Sequence, residues 1–253
     1  MKNLFLLFWS VAKTLAFVSL TIPAFSQNLA AIEKDLVETY ARISSFYRVD
    51  SDSLPYYSEQ FDQKIAAYLK KYPTTFKHPF TQLKKECFIT TSADGLLRVY
   101  SWDTWLGGTA HDFSSIAQFQ SGGSTFLGKI GGMGFFSEVF TVKTRQKTYY
   151  LAVSHGIFST ADSGQSLQAY TIEQDELRSV ELFKTKGKMS TSISFEFDFF
   201  SVVGRPERPL KLIKYDEKKK TISVPVIAEN GAVTEVFTAY RFNGKYFEEV
   251  EKK

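Results

Sequence analysis

The sequence has little of the chemistry on which small exported proteins and common hydrolases depend. Cys87 is the only cysteine, so no intramolecular disulfide can form and the core must hold the fold. There are only three histidines in 253 residues. The motifs G-x-S-x-G and H-E-x-x-H are absent, as is a cysteine with a matched histidine context, so the usual signatures of serine, zinc and thiol hydrolases are missing.

Two further motifs are incomplete. Residues 123–130 read GSTFLGKI, which has the phosphate-loop spacing but places Ile130 where a Ser or Thr must ligate magnesium. A calcium loop beginning at Asp50 would need glycine in place of Pro55 and glutamate in place of Phe61. We therefore predict no cofactor and no metal.

An excess of charge of one sign is also lacking. The formal net charge is +4 at pH 7, and it falls to +2 if residues 1–26, which contain Lys2 and Lys13, are removed. Nucleic-acid-binding domains usually carry a clustered excess of Lys and Arg. We therefore predict no nucleic-acid partner.

What the sequence does contain at its start is an apolar run. The run from Leu4 to Leu20 is broken by Lys13, is preceded by Lys2, and is followed by the small residues Ala24 and Ser26. This order predicts a secretory signal peptide that is cleaved after Ser26. The run is shorter than the roughly 20 residues of a membrane span. We expect an exported protein, periplasmic or extracellular, with no transmembrane span after cleavage.

Two segments have the periodicity of amphipathic helices. Apolar residues recur every three or four positions from Asn28 to Tyr47 and again from Ser58 to Tyr72. Ser58 is placed to cap the second helix, and Pro73 follows its end. Such a pair cannot bury both apolar stripes by itself, so we expect it to lie on the remainder of the protein.

After His78 the pattern changes to short runs rich in β-branched and aromatic residues, separated by turn dipeptides such as Asn243-Gly244. The predicted strands are 86–91, 96–102, 113–120, 135–143, 148–154, 166–172, 177–183, 191–200, 210–215, 221–227, 233–242 and 245–250. Consecutive strands joined by tight turns pair in antiparallel fashion. The sequence therefore predicts an α+β fold, mainly β, with a helical pair followed by a long antiparallel β-meander.

The arrangement of the meander is left open. Strands that begin after the turns at Asp94, Asn230 and Asn243 echo one another, which favours a propeller-like arrangement, with a twisted barrel or a sandwich as the alternatives. The predicted organisation is a signal peptide over residues 1–26, an N-terminal helical segment over 27–80 and an antiparallel β domain over 81–253.

The stretch 94–112, DGLLRVYSWDTWLGGTAHD, concentrates two of the three tryptophans in one strand and turn. Strand alternation separates Leu97 and Val99 from the face that carries Arg98, which can stack on aromatic neighbours or pair with Glu196 or Asp198. The candidate ligand-binding residues are Arg98, Tyr100, Trp102, Trp105 and His111. They would form a stacking platform for a sugar or peptide. The alternative, which we favour, is that the tryptophans are packing residues.

Histidines and carboxylates offer a catalytic alternative. The candidate acid and base residues are Asp103, Asp112, His155, Glu196 and Asp198, with His111 assisting. A hydrolase of envelope glycans or peptides would need at least two of them in one pocket. Because their spacing does not require this convergence, we assign no catalytic residue and favour a protein without enzymatic activity.

Residues 92–111, SADGLLRVYSWDTWLGGTAH, resemble the motif S-x-D-G-x-x-R-x-Y-S-W-D-T-x-x-G-G-T-x-H of a family of uncharacterised secreted bacterial proteins. A helical segment that ends near YPTTFKHPF, residues 72–80, and an F-x-G-x-x-F hairpin, residues 242–247, are similar as well. The resemblance implies a shared fold along most of the chain. It implies no activity and no catalytic residue.

The function that we expect is a non-catalytic binding or structural module of the cell envelope. Abundant aromatic residues and the absence of a catalytic signature favour it. The expected partner is an envelope glycan or protein that the sequence does not identify. A hydrolase of envelope glycans or peptides is the alternative.

Overall fold

The computed structural model describes residues 24–47, 49 and 51–250. The predicted signal peptide lies outside the described residues except for its last three, and the predicted cleavage point after Ser26 falls in the first turn of a helix. Within the described residues, two α-helices precede fifteen strands, so the predicted α+β, mainly β fold is confirmed. Neither helix combines the length and apolar character needed to cross a membrane.

The helices are α1, Ala24–Phe46, and α2, Leu54–Lys71. The strands are β1 Phe88–Thr91, β2 Leu97–Asp103, β3 Phe113–Ser121, β4 Ser124–Gly128, β5 Phe135–Lys143, β6 Thr148–Ile157, β7 Asp162–Glu173, β8 Glu176–Ser179, β9 Phe183–Thr185, β10 Lys188–Ser190, β11 Ser192–Asp198, β12 Lys214–Asp216, β13 Thr221–Ile227, β14 Val233–Phe242 and β15 Phe247–Glu249. Short 3-10 helices occupy Ser51–Ser53, Pro73–Lys77, Leu83–Lys85 and Phe199–Ser201.

Helix α2 begins earlier than the sequence predicts. Pro55 stands in its first turn, where the missing N–H costs no intrahelical hydrogen bond. Ser53 occupies the cap position, whereas Ser58, the predicted cap, is buried inside the helix. The helix ends at Lys71, close to the predicted end, because Pro73 disfavours helical geometry in the residue before it.

The strands form three open sheets. The first sheet has the order β1-β2-β3-β4, the middle sheet β11-β7-β6-β5 with β8 beside β7, and the third sheet β10-β9-β15-β14-β13-β12. All pairs of described strands are antiparallel except β15 with β9, which run parallel. The three sheets have different numbers of strands, in contrast to the repeated, equal blades of a propeller.

The helices and sheets stack in four layers. One face of β2 packs on the helices, where Tyr100 and Trp102 share a core with Leu36 and Ile65. The other face packs on the middle sheet, where its partners are Val139, Phe136, Tyr150, Ala152 and Tyr170. The opposite face of the middle sheet, including Leu151, Val153 and Leu167, packs on Phe183, Ile222 and Phe247 of the third sheet. The middle sheet is therefore buried on both faces.

Several predicted strands differ from the observed ones where the chain passes between sheets. The predicted strand 191–200 starts at Ser192, because Ser190 still pairs in the third sheet, and it ends in a 3-10 turn after Asp198. The predicted strand 177–183 divides in the same way into β8 and β9. Strand β4 lies between the predicted strands 113–120 and 135–143, where the sequence predicts no strand. The predicted strands 135–143, 221–227 and 233–242 are confirmed.

Candidate functional site

The stretch 94–112 contributes the hairpin between β1 and β2, strand β2 itself and the loop that follows it. In the hairpin, Asp94 Oδ1 accepts hydrogen bonds from Ser92 Oγ at 2.6 Å and from the Leu96 N–H at 3.1 Å. Gly95 takes a positive φ of 70°. The turn that the Asp-Gly pair predicts is therefore formed, and its second carboxylate oxygen is free to meet Tyr150 Oη at 3.1 Å.

Tyr100 and Trp102 project from β2 towards the helices and are buried. The Tyr100 hydroxyl donates to Gln118 Oε1 at 2.9 Å, and Trp102 Nε1 donates to Asp62 Oδ1 at 2.6 Å. Burial raises the pKa of the Tyr100 hydroxyl. Both rings are covered by the helical layer and share its core, as packing residues do, and of the two Trp102 also borders a cleft beside Asp62 and Ser114.

Arg98 lies on the same face of β2 and is also buried. Its Nη1 donates to the carbonyl oxygens of Phe76 at 2.8 Å and His78 at 2.7 Å, and more weakly to that of Thr75 at 3.3 Å. The guanidinium carbon lies 5.4 Å from the centre of the Phe80 ring and 5.2 Å from that of Tyr100. The predicted stacking on aromatic neighbours is therefore present.

The expected pairing of Arg98 with Glu196 or Asp198 is not found. Both carboxylates lie on β11, in the middle sheet, whereas Arg98 lies on the first sheet and faces the helices. Glu196 is exposed, and Asp198 Oδ1 accepts from the Phe200 N–H at 2.9 Å as the cap of a 3-10 turn. The two residues are thus remote from the arginine because their strand belongs to a different layer.

The loop after β2 brings Asp103, Trp105 and His111 together. Asp103 Oδ1 accepts from the Trp105 N–H at 2.8 Å, and Asp103 Oδ2 accepts from His111 Nδ1. The indole of Trp105 donates to the Tyr40 hydroxyl at 3.2 Å and lies 6.3 Å from the imidazole, centre to centre. With Nδ1 bound to the carboxylate, Nε2 is the ring nitrogen that forms no hydrogen bond with another described residue.

His111 borders a cleft of about 410 Å³ that also contains Thr109, Ser159, Thr160 and Ser163. None of these hydroxyls hydrogen-bonds to Nε2 of His111 within the described chain. An aspartate-oriented histidine is thus present without the bonded nucleophile that a serine-hydrolase triad needs.

Asp112 closes the same loop. Its backbone carbonyl accepts from the Thr104 N–H at 2.8 Å, and its carboxylate accepts from Thr104 Oγ1 at 3.0 Å. Gly107 is required inside the loop, because a Cβ there would lie 1.6 Å from the carbonyl oxygen of Ala110. The carboxylate of Asp112 therefore belongs to the loop framework.

His155 is buried in the middle sheet and stacks on Phe135 at 4.8 Å between ring centres. The amide of Gln165 is oriented by the Leu210 carbonyl, which accepts from Nε2 at 2.7 Å, and by the Ile213 N–H, which donates to Oε1 at 3.3 Å. Its Nε2 also faces Nδ1 of His155 at 3.2 Å. Nδ1 is therefore an acceptor, and the imidazole carries its proton on Nε2.

That proton points at Ser137, whose Oγ lies 2.7 Å from Nε2 of His155. The imidazole donates to the hydroxyl, which is the opposite of the arrangement that activates a serine. Burial lowers the pKa of His155 to about 4. His155 is held as a neutral donor, and it does not approach Asp103 or His111 through any hydrogen bond in the described structure.

Asp62 is a residue that the sequence reasoning missed. It lies on α2, and its two oxygens accept from Trp102 Nε1 and from Ser114 Oγ at 3.0 Å. Burial raises the pKa of its carboxyl. The position of Asp62 beside the apolar stripe of its helix does not indicate a contact with β2 or β3, since its partners lie 40 and 52 positions later in the chain.

No group of three His, Cys, Asp or Glu side chains in the described ranges is placed to hold a metal ion.

Two clefts meet at the end of the first sheet where β2 begins and β3 ends. The amide cleft, of about 700 Å³, is lined by Leu96, Gln120, Ser121, Gln146, Lys147, Thr148, Tyr150, Thr171, Ile172, Glu173, Gln174 and Arg178. The arginine cleft, of about 530 Å³, is lined by Phe76, Lys77, His78, Pro79, Lys84, Thr91, Asp94, Gly95, Leu96, Arg98 and Gln120. Leu96 and Gln120 line both clefts, which are therefore neighbours, and we call the two together the groove.

Comparison with known proteins adds no residue roles to this geometry. No protein-family model matches the chain, and no curated protein matches it. The resemblance of residues 92–111 to secreted bacterial proteins therefore stays a prediction.

Proposed function

We propose that the chain is an exported, non-catalytic binding module of the cell envelope, and that its ligand lies in the groove formed by the amide cleft and the arginine cleft. The observation that carries the proposal is the junction of two open clefts of about 700 and 530 Å³ at Leu96 and Gln120. A groove of this size accommodates a segment of glycan or peptide.

The walls of the amide cleft suit a neutral, hydrogen-bonding ligand. The side-chain amides of Gln120 and Gln146 form no hydrogen bond with another described residue, so both are available to a ligand. The charges beside them are already paired, Lys147 with Glu173 at 2.6 Å and Arg178 with Glu176 at 2.8 Å. Amide groups that hydrogen-bond a polar chain without a net charge are typical of sugar and peptide recognition.

The absence of enzymatic activity is part of the same proposal. Of the candidate acid and base residues, only Asp103 bonds to a histidine, His111, and neither residue lines the groove. Glycoside hydrolysis needs two carboxyl groups on either side of one bond. The alternative hydrolase function stays a prediction, because no described hydroxyl is hydrogen-bonded to His111 as a nucleophile would be.

The proposal is tested by titrating the purified protein with a panel of soluble envelope glycan fragments and short peptides, followed by calorimetry. Gln120→Ala should weaken binding of the best ligand about fivefold to tenfold, because it removes a hydrogen bond at the junction of the two clefts. Gln118→Ala is unsuitable as a control since Gln118 is buried.

The matched control is Gln60→Ala, which removes an amide from α2, outside both clefts. It should leave the affinity unchanged. If no member of the panel binds, or if the two variants weaken binding equally, the groove is not the binding site.

A further inference from the structure

The charge of Arg98 is not neutralised by any described residue. Its side chain is 4% exposed, and no carboxylate lies within ion-pair distance of it in the described ranges. Its three hydrogen bonds all come from Nη1 and all end on backbone carbonyls. Nε is buried with no partner. A buried cation that lacks a counter-charge is costly, so such a group points to a missing anion.

Arg98 borders the arginine cleft, and two further cations stand on the wall of this cleft. Lys77 and Lys84 are exposed, and neither forms an ion pair with another described residue. This distinguishes the arginine cleft from the amide cleft, in which Lys147 and Arg178 have acidic partners.

The acidic groups near the arginine cleft are already engaged. Asp94 lines it, but its oxygens accept hydrogen bonds from Ser92, Leu96 and Tyr150. Behind the wall, Glu33 Oε2 lies 3.0 Å from His78 Nε2, and Glu33 Oε1 accepts from two backbone N–H groups of the turn that follows. Within the described residues, the three cations are therefore left without an acidic partner.

The donors that remain favour a tetrahedral anion. A carboxylate pairs best with two parallel N–H groups on one guanidinium. In Arg98, Nη1 is occupied by carbonyls and Nε is covered by protein, so that no such pair faces the cleft. What remains is one guanidinium nitrogen, Nη2, together with the ammonium groups of Lys77 and Lys84, which act as separate point charges.

We infer that the arginine cleft binds a phosphate group, held by Arg98 and the two lysines. The inference deepens the proposed function and rests on it, since the phosphate would belong to the ligand that lies in the groove. Three separate donors on the wall of one cleft suit the several oxygens of a phosphate. The same chemistry is found in free phosphate, in a soluble phosphate ester and in a phospholipid headgroup.

The test is a titration of the purified protein with inorganic phosphate, with glycerol phosphate and with vesicles of phosphatidylglycerol, each followed by amide chemical shifts or co-sedimentation. Phosphate and its ester should shift the resonances of residues around Arg98. The double variant Lys77→Ala/Lys84→Ala should weaken this binding about tenfold. Arg98→Met is not used, because it would remove the hydrogen-bond donor of three backbone carbonyls and destabilise the fold. The test therefore uses variants of the two exposed lysines.

The double variant Lys188→Ala/Lys245→Ala is the control, because it also removes two positive charges, from exposed positions outside both clefts. It should leave phosphate binding unchanged. Binding by vesicles alone would assign the site to a lipid headgroup, and binding by the soluble ester alone would assign it to a phosphorylated polymer. The inference is overturned if inorganic phosphate and both of its esters fail to bind, if acetate binds as well as phosphate, or if the control weakens binding as much as Lys77→Ala/Lys84→Ala.

The two proposals fail separately. If Gln120→Ala weakens the binding of a glycan or peptide whereas phosphate does not bind, the proposed binding groove is supported and the phosphate site is overturned. If phosphate binds at the lysines whereas no glycan or peptide binds, the phosphate site stands alone.

Discussion

The position of a single proton in the middle sheet is set by a neighbouring amide. Gln165 places its Nε2 against Nδ1 of His155, and this orientation is fixed by the Leu210 carbonyl and the Ile213 N–H. A second proton on the imidazole would therefore meet a donor in a buried environment. The folded protein consequently excludes that proton, and this has a measurable effect on stability.

We predict that the free energy of unfolding falls between pH 6.5 and pH 5 because of His155. Its pKa is about 4 in the folded state and 6.5 for an ordinary histidine, so the unfolded chain binds the proton first. The full contribution is present above pH 6.5, and about 2 kcal/mol is lost by pH 5. Urea unfolding at several pH values measures this slope.

His155→Asn should flatten the slope over that interval, because it removes the titrating group. Ser137→Ala should keep the slope while lowering stability at every pH, since the imidazole stays buried but loses its acceptor. The interval ends at pH 5 because Glu33 adds its own loss of stability below its ordinary pKa of 4.5. Burial raises the pKa of the Glu33 carboxyl, but hydrogen bonds from His78 and from two backbone N–H groups lower it further than burial raises it. Equal slopes in the wild type and His155→Asn would contradict the prediction.

At the residue scale, the sequence predicted the face of β2 on which each side chain lies better than it predicted the hydrogen-bond partners of that side chain. Alternation along β2 correctly separated Leu97 and Val99 from Arg98, because each strand residue points opposite to the next. The carbonyl partners of Arg98 could not be predicted, since they lie 20 to 23 positions earlier, in a 3-10 turn and its cap whose backbone geometry has no sequence periodicity.

At the scale of single elements, the loop Thr104–Asp112 is closed at its base and tightly turned inside. Trp105 takes a φ of 61°, which a side chain seldom adopts, and the Asp103 carboxylate holds its N–H in place. Gly107 lies against the Ala110 carbonyl with no room for a side chain. The contact between Asp103 and His111 therefore depends on a glycine that touches neither residue.

We predict that Gly107→Ala distorts this loop and lowers the free energy of unfolding by about 1–3 kcal/mol, because a methyl group would overlap a backbone oxygen. The tryptophan fluorescence of Trp105 and the imidazole resonances of His111 should change as well. Gly131→Ala is the control, since a Cβ there meets nothing within 4 Å and its φ is not in the left-handed region. A Gly107→Ala variant as stable as Gly131→Ala would show that the loop can relax.

Elements were predictable from sequence when one sheet contained the whole run. Residues 135–143, 221–227 and 233–242 each stay in one sheet and match their predicted bounds. Residues 191–200 do not, because the chain changes sheets between Ser190 and Ser192 and then caps a turn with Asp198. The hydrophobic alternation continues through such a crossing, so periodicity alone cannot locate it.

At the scale of the whole molecule, each of the four layers shares a hydrophobic core with the layer next to it, so every layer depends on a neighbour for its burial. The helical pair shares its core with the first sheet, which shares another with the middle sheet. The third sheet closes the stack on the far side. The sequence predicted that the helices must lie on the remainder of the protein. It could not predict the stacking order, which depends on contacts between strands that are distant in the chain.

We predict a single unfolding transition for all four layers. Trp102 and Trp105 lie between the helices and the first sheet, so fluorescence reports one end of the stack, whereas far-ultraviolet circular dichroism reports all the sheets. Leu36→Ala should shift both transitions together by about 2–5 kcal/mol, because Leu36 is fully buried.

Lys34→Ala is the matched control on the exposed side of the same helix. It removes only a surface ion pair with Glu38, so it should change stability by less than about 1 kcal/mol. If fluorescence reports unfolding at a lower urea concentration than circular dichroism, the helical layer unfolds separately.

The place of β15 in the third sheet has a consequence for biosynthesis. This strand inserts between β9 and β14, and its Phe247 is fully buried against Phe183, although the two residues are far apart in the chain. The third sheet therefore cannot close until the ribosome has passed residue 249.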